Sequence, residues 1–403
     1  MISFLSPTGL LGLATGVLSM GQVAAQENDL GSVLQSNKNL STYYNLIKKY
    51  PEVLFKLPSY EGVTIVAPSN AAFENIPGTQ LNGIWNDSDP AIAVPILEYH
   101  ILQGTVSTGA LQSGPTALRS SLLQDAAWTN VTGGQNVLVN KQPGDVIVFT
   151  SGEGIRTTQV EGDIKFAGGL IQVVDNLMIP PSRLENTTEA FRLPAFLGAL
   201  YASRLLSSLS SRKNVTIFAP RNEAFQRVAG SLADMNDAAV RRFLEYHVVP
   251  GRVLASTDLK NGTNLTTLAA QSLRLARSGN NLYLNTAQIV QPDILLANGI
   301  MHIIDNVLNP DAPSSEPDPS AASQPPAFPE SSASGLPFTT AIPCTTDCPV
   351  TTAATTAETG AATRTTASTG LRTTTSQDGA LPRRTGAAAG VAAGLVVGIA
   401  ALI

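Results

Sequence analysis

The chain says nearly the same thing twice, in three boxes that recur in one order. Val63–Ile76 reads VTIVAPSNAAFENI, and Val215–Val228 reads VTIFAPRNEAFQRV. LEYHILQGTV at Leu97–Val106 is matched by LEYHVVPGRV at Leu244–Val253, and GLIQVVDNLMIP at Gly169–Pro180 by GIMHIIDNVLNP at Gly299–Pro310. An ordered set repeated in this way marks a duplicated domain. The repeat is over a hundred residues long, so each copy can bury a core of its own, and a short-repeat solenoid is excluded. Whatever one box builds must therefore be built twice.

Within the first box, Val63–Ala67 is a continuous apolar run rich in β-branched residues, which predicts a short buried strand. Pro68 stops it, and Ser69 or Asn70 is placed to cap a helix beginning near Ala71, with Phe73 turned inward. The second copy repeats this with Val215–Ala219, Pro220, Asn222 and Phe225. The second box closes a helix. Val240, Phe243, Leu244 and His247 fall at i, i+3, i+4 and i+7. Ala93, Ile96, Leu97 and His100 do the same after the start signals Asp89 and Pro90. His100 and His247 thus share a face with core residues, which favours a buried imidazole bonded to backbone; the alternative is a recognition role beside Tyr99 or Tyr246. The third box is a strand ending in Asp175-Asn176 or Asp305-Asn306, where the repeated Asp suggests a turn or capping bond. His302 is matched by Gln172, so a metal or catalytic role there would not be shared by the copies.

No G-x-S-x-G elbow, H-E-x-x-H pair or P-loop occurs in the sequence. No catalytic residue, metal ligand or cofactor is assigned, and the chain is read as a non-enzyme. The formal net charge is −5, and basic residues occur as scattered pairs such as Lys48-Lys49 and Arg241-Arg242. That is not the basic stripe nucleic acid requires.

The two ends point to a secreted, anchored protein. Residues 1–25 contain an apolar run from Phe4 to Leu18 and end in Val23-Ala24-Ala25, which reads as a cleaved signal peptide. Residues 387–403 are small and apolar, preceded by a polar spacer and by small residues near Ser376–Ala380. This is the pattern of a GPI-attachment signal, with Asp378 or Gly379 as the candidate attachment residue. A transmembrane tail is the rival, with Arg383 and Arg384 on the side that the positive-inside tendency disfavours. Seven Asn-x-Ser/Thr sequons, at Asn39, Asn86, Asn130, Asn186, Asn214, Asn261 and Asn264, fit secretion and are candidate N-glycosylation sites. Residues 311–386 are rich in Pro and Ser and then in Thr, which reads as a disordered, O-glycosylated stalk. Cys344 and Cys348, the only cysteines, lie in it; they would close a very small disulfide loop or link two chains.

The interval between the second and third boxes is longer in the first copy. The extra residues are expected around Gly144–Thr158, as an added hairpin of Val146–Phe149 and Ile155–Val160 about a Ser151–Gly154 turn.

TIVAPSNAAF and TIFAPRNEAF, the LEYH pair, and GLIQVVDNLM and GIMHIIDNVL together resemble the fasciclin (FAS1) domain family. The resemblance covers residues 29–181 and 184–310. It implies an α+β fold, a twisted β-sandwich or wedge with packed helices, and a role in adhesion without catalysis. It also implies candidate adhesion residues. Tyr99, His100, Tyr246 and His247 match the family's Tyr-His motif, and Asp293 and Ile294 match an Asp-Ile motif. The first copy offers only Gly162-Asp163-Ile164-Lys165 at the latter position. The layout of domains, Thr-rich stalk and anchor resembles fungal surface proteins. The expected function is adhesion or cell-wall and matrix contact on the extracellular face of the plasma membrane or in the wall. Partners would be surface, wall or matrix glycans or proteins, with homophilic contact open and the membrane reached through a GPI anchor. The alternative is a structural component of the wall or vacuolar surface with no discrete ligand.

Overall fold

The computed structural model describes residues 28–57, 62–313, 315–321 and 323–343. The expected signal peptide, Cys344, Cys348, Asp378, Gly379 and the tail 387–403 lie outside the described residues. Among the described residues no helix is long and apolar enough to cross a membrane.

Each copy is built on one seven-stranded sheet with helices packed against it, an α+β fold. The first sheet uses β1 (Val63–Pro68), β2 (Ile101–Gln103), β3 (Thr116–Ser120), β4 (Asn136–Lys141), β5 (Ile147–Thr150), β6 (Arg156–Phe166) and β7 (Gly169–Val174). Their order is β2-β1-β7-β6-β5-β4-β3. The second uses β8 (Val215–Pro220), β9 (Val248–Pro250), β10 (Asn264–Thr266), β11 (Ser272–Ser278), β12 (Asn281–Leu284), β13 (Ala287–Leu296) and β14 (Gly299–Ile304) in the equivalent order. β1 runs parallel to β7, and β8 to β14. A bridge between Leu102 and Ser121 draws β2 towards the end of β3, so the first sheet curls nearly closed.

The first and third boxes are therefore partners at the heart of each sheet. β1 and β8 are buried along their whole length, which is why both read as unbroken apolar runs. Alternation then separates two cores: Ile65 joins the helix side with Tyr43 and Leu97, and Val66 joins the inside of the curl with Tyr99 and Phe149. Ile217 and Phe218 divide the second copy in the same way. The parallel pairing also explains the glycine that opens each third box. A Cβ on Gly169 would sit 2.1 Å from the Val63 carbonyl oxygen, and one on Gly299 would sit 1.9 Å from that of Val215.

The helix starts follow the caps. Ser69 Oγ accepts from Ala72 N at 3.2 Å, so Ser69 is the cap of the first-box helix. Asn70 does something else. Its amide accepts from Thr42 N and donates to the Lys38 carbonyl, tying the helix to the preceding one. Asn222 makes the equivalent tie to Ala195 N and Arg192 O, and Arg221 at the cap position makes no capping bond.

Two expectations shift. The hairpin at Gly144–Thr158 is present but is not extra, since β12 and the start of β13 are its counterpart. The added length lies mainly between β3 and β4, in residues 121–135, where the second copy needs only residues 267–271 to join β10 to β11. The expected stalk also begins further on than Pro310. Described residues up to Pro343 form an irregular strap on the second domain. Phe328 meets Phe243 with ring centroids 6.0 Å apart, and Phe338 meets Phe225 at 6.3 Å. Composition masks these two apolar anchors in a Pro- and Ser-rich stretch.

Candidate functional site: the repeated motifs and the domain junction

The Tyr-His motif lies inside the protein. Tyr99, His100, Tyr246 and His247 are each at most 1 % exposed. His100 Nδ1 donates to the Ile96 carbonyl at 2.7 Å, and its Nε2 accepts from Met178 N at 2.8 Å. His247 repeats both bonds, to Phe243 O at 2.8 Å and from Leu308 N at 3.0 Å. One tautomer therefore satisfies two backbone groups that would otherwise be buried without partners. The imidazole staples the end of the second-box helix to the segment leaving the third box. Tyr99 Oη donates to Asn136 O, and Tyr246 Oη to Ser272 O, both at 2.9 Å, which holds the start of β4 and of β11 across the curl. Burial pulls each imidazole down to about 4, against the weaker opposing effect of its backbone hydrogen bond.

The Asp-Ile motif is a strand irregularity built the same way in both copies. β6 slips register between Glu161 and Ile164, and β13 between Gln291 and Ile294. The residue at the slip takes a left-handed backbone, φ 54° at Asp163 and 62° at Asp293, which Asp tolerates better than most residues. Its carboxylate grips a loop: Asp293 accepts from Ser256 N at 2.7 Å and from the Ser256 hydroxyl, and Asp163 accepts from both groups of Thr108. Ile294 is buried. His302 and Gln172 serve this bulge with one geometry. His302 Nδ1 accepts from Asp293 N, while Nε2 pairs with Leu254 O at 2.9 Å. Gln172 Oε1 accepts from Asp163 N, and Nε2 donates to Val106 O at 2.7 Å. Two unlike residues thus share one donor and one acceptor, a kinship the sequence does not reveal. Direct recognition by the six motif residues would need them at the surface. The structure places five in the interior, and the sixth, Asp293, has its carboxylate committed to Ser256.

What sequence reading missed is the junction between the copies. The 121–135 loop crosses to the second domain, where Asn130 N donates to Ala297 O at 2.7 Å and Gln135 Nε2 reaches Leu296 O at 3.3 Å. Leu118 and Leu138 meet Val253, Ala255, Leu295 and Ile300 in an apolar contact below it. Beside the loop lies a cleft of about 830 Å³ lined by both domains. Trp128 lines it from the loop; Arg183, Glu185, Tyr201 and Arg204 line it from the second domain. Among the described residues no group of three or more His, Cys, Asp or Glu is arranged to hold a metal ion.

The profile of the fasciclin domain matches residues 38–180 and 192–310. The chain belongs to the fasciclin domain family. A fasciclin-like arabinogalactan protein of Arthroderma benhamiae is 30% identical over 72% of this chain and 68% of its own length. One of Cercospora beticola is 28% identical over 71% of this chain and 78% of its own. Among solved structures, a FAS1 domain pair from the insect cell adhesion molecule fasciclin I is 20% identical, with a TM-score of 0.32, over 68% of this chain and 97% of that one.

The two fasciclin domains also sort the seven sequons. Asn39, Asn86, Asn186, Asn261 and Asn264 are exposed. Asn130 and Asn214 are half-buried in the junction and clasp each other's surroundings. Asn130 Nδ2 donates to Ser211 O at 2.9 Å, Asn214 Nδ2 to Thr132 Oγ1 at 2.7 Å, and Thr132 N to Asn214 Oδ1 at 2.8 Å. Thr132 is itself the sequon threonine of Asn130. A glycan is carried on Nδ2, the atom with which each asparagine now bonds across the junction, so attachment competes with docking. Glycopeptide mass spectrometry of the purified chain should find sugar confined to the five exposed sequons. Substantial occupancy of Asn130 or Asn214 would contradict the docked arrangement.

Proposed function

We propose that the chain is a cell-surface adhesion protein of the wall or matrix, secreted and held by a GPI anchor on a glycosylated stalk. The observation that carries this reading is the pair of fasciclin domains docked as one body ahead of a Thr-rich stalk. The similarity to fungal fasciclin-like arabinogalactan proteins supports association with a cell surface or wall. Contact belongs to the outer faces of the domain pair, because the duplicated motifs are used up in building the interior. Many copies on one surface strengthen an interaction that is weak per molecule.

The test joins anchor and adhesion. Cells displaying the chain should adhere to wall material more than cells lacking it. Phosphatidylinositol-specific phospholipase C should strip both the surface pool and the extra adhesion. Retention of the chain under conditions that free a control GPI protein would overturn the anchor. Adhesion that persists after the chain has left the surface would overturn the adhesive role.

A further inference from the structure

The cleft at the junction has the parts of a ligand site. Its volume of about 830 Å³ falls within the range of roughly 300–1,000 Å³ usual for such sites, which favour domain interfaces. It exists because of the 121–135 loop, which only the first domain has. Asp125 fixes the turn that presents Trp128, its carboxylate accepting from Ala127 N at 2.8 Å and its carbonyl from Trp128 N at 3.0 Å. Trp128 is half-buried. It packs against the core inside the first sheet and lines the cleft with the surface left over.

The opposite wall is cationic. Arg183 and Arg204 have no ion-pair partner among the described residues. Glu185 is engaged by the Tyr201 hydroxyl, and this hydrogen bond is the main reason the phenol is pushed up to about 12. Arg204 also holds a position where its side chain is a liability to the fold. It follows the helix Pro194–Ala202 and its cap Ser203 with φ 56°, and the turn closes by Leu205 N bonding Leu200 O at 3.0 Å. Helices that end this way strongly prefer glycine at that position, because a Cβ is strained there. Arg192 ends the preceding helix in the same way, with φ 55°, but lies outside the cleft; Arg204 lines the cleft and has no counter-ion among the described residues.

We infer that the cleft binds an acidic saccharide, with a hexuronate ring lying on Trp128 and its carboxylate held by Arg204 and Arg183. The indole offers an apolar face to the C–H side of a sugar ring, and its flatness suits a pyranose better than a branched aliphatic group. A guanidinium meets a carboxylate through two parallel N–H bonds, which fixes orientation as well as charge. The free lone pairs of Glu185 and of the Tyr201 oxygen, whose proton Glu185 holds, are placed to accept from ring hydroxyls. The inference rests on the adhesion reading for its setting, a wall or matrix rich in polysaccharide, and it names the ligand class that one site on the domain pair would take.

The purified full chain is titrated by calorimetry with oligogalacturonate, with oligoglucuronate and with the methyl-esterified form of each, which keeps the rings and removes the charge. At least one acidic oligomer should bind, and its ester should bind about tenfold more weakly or worse. Trp128→Ala should remove binding. Arg204→Gly should weaken it about tenfold while leaving the melting midpoint unchanged or higher, because glycine relieves the left-handed backbone. That second variant separates lost recognition from lost folding. Equal affinity for acid and ester, indifference to both substitutions, or no binding of either acid overturns the inference. The phospholipase experiment reports separately: adhesion stripped from cells whose protein binds no uronate discards the cleft and keeps adhesion. Uronate binding by a protein whose removal leaves adhesion intact discards adhesion and keeps the cleft.

Discussion

Lowering the pH from 6.5 to 4 should cost the domain pair about 3 kcal/mol for each of His100 and His247. The imidazoles sit near 6.5 in the unfolded chain and are pulled to about 4 in the folded one. Between those values the unfolded chain binds protons that the folded chain refuses, so acid favours unfolding; above 6.5 neither state is protonated and stability is at its full value. Burial shifts His302 the same way, against the pull of Asp293 and its bond to Leu254, so the second domain carries two such groups and the first carries one. Asp305, whose carboxyl burial raises, opposes the trend only within the carboxylate range. Urea unfolding near neutral pH and near pH 5 should show the loss, larger in the second domain than in the first. His302→Gln supplies the control, since Gln172 fills the same role in the first domain. That variant should stay within about 1 kcal/mol at neutral pH and show a shallower fall in acid. Stability that is flat across this interval would show that the imidazoles are not buried as described.

Ending the chain at Pro310 should destabilise the second domain by about 2–5 kcal/mol. The loss removes Phe328 and Phe338 from Phe243 and Phe225 and strips several backbone ties. Ser331 N donates to Arg227 O at 3.1 Å, Gly230 N to Ser331 O at 2.9 Å, and Asn306 and Asn309 donate to Pro325 O and Ala327 O. Melts of chains ending at Pro310 and at Pro343 measure it directly. Gly198→Ala probes the same contact without deleting anything, because a Cβ there would lie 2.2 Å from the Phe338 carbonyl oxygen. It should move the midpoint in the same direction. Equal midpoints for all three chains would mean that the strap does not dock.

The parts of this fold that were legible in the sequence are those set by local periodicity. Val63–Ala67 and Val215–Ala219 announce buried strands by composition alone, and the i, i+3, i+4, i+7 stripe by itself places His247 among Phe243 and Leu244. The parts that were not legible depend on pairings far apart in the chain. Residues 121–135 read as a polar loop, and nothing local shows that Asn130 meets Ala297. Asp163 and Asp293 stand in the sequence as an aspartate at equivalent places in both copies, but the left-handed bulge that each supports needs a strand partner to be seen. Gln172 and His302 look unrelated as letters and become equivalent only as hydrogen-bonding geometry. Trp128 is far in sequence from Arg183 and Arg204 and is brought to them only by docking.

In the proposed function the folded domain pair makes the contact through its outer surface, and the stalk holds it away from the membrane. Beads coated at matched density with the full chain, or with a glycosylated peptide spanning residues 344–386 alone, measure this directly on cells and on isolated wall. Saturable adhesion by the full chain, competed by the same protein in solution, is expected, with none above background from the stalk peptide. Equal adhesion by the stalk peptide, or adhesion by the full chain that never saturates, would contradict it.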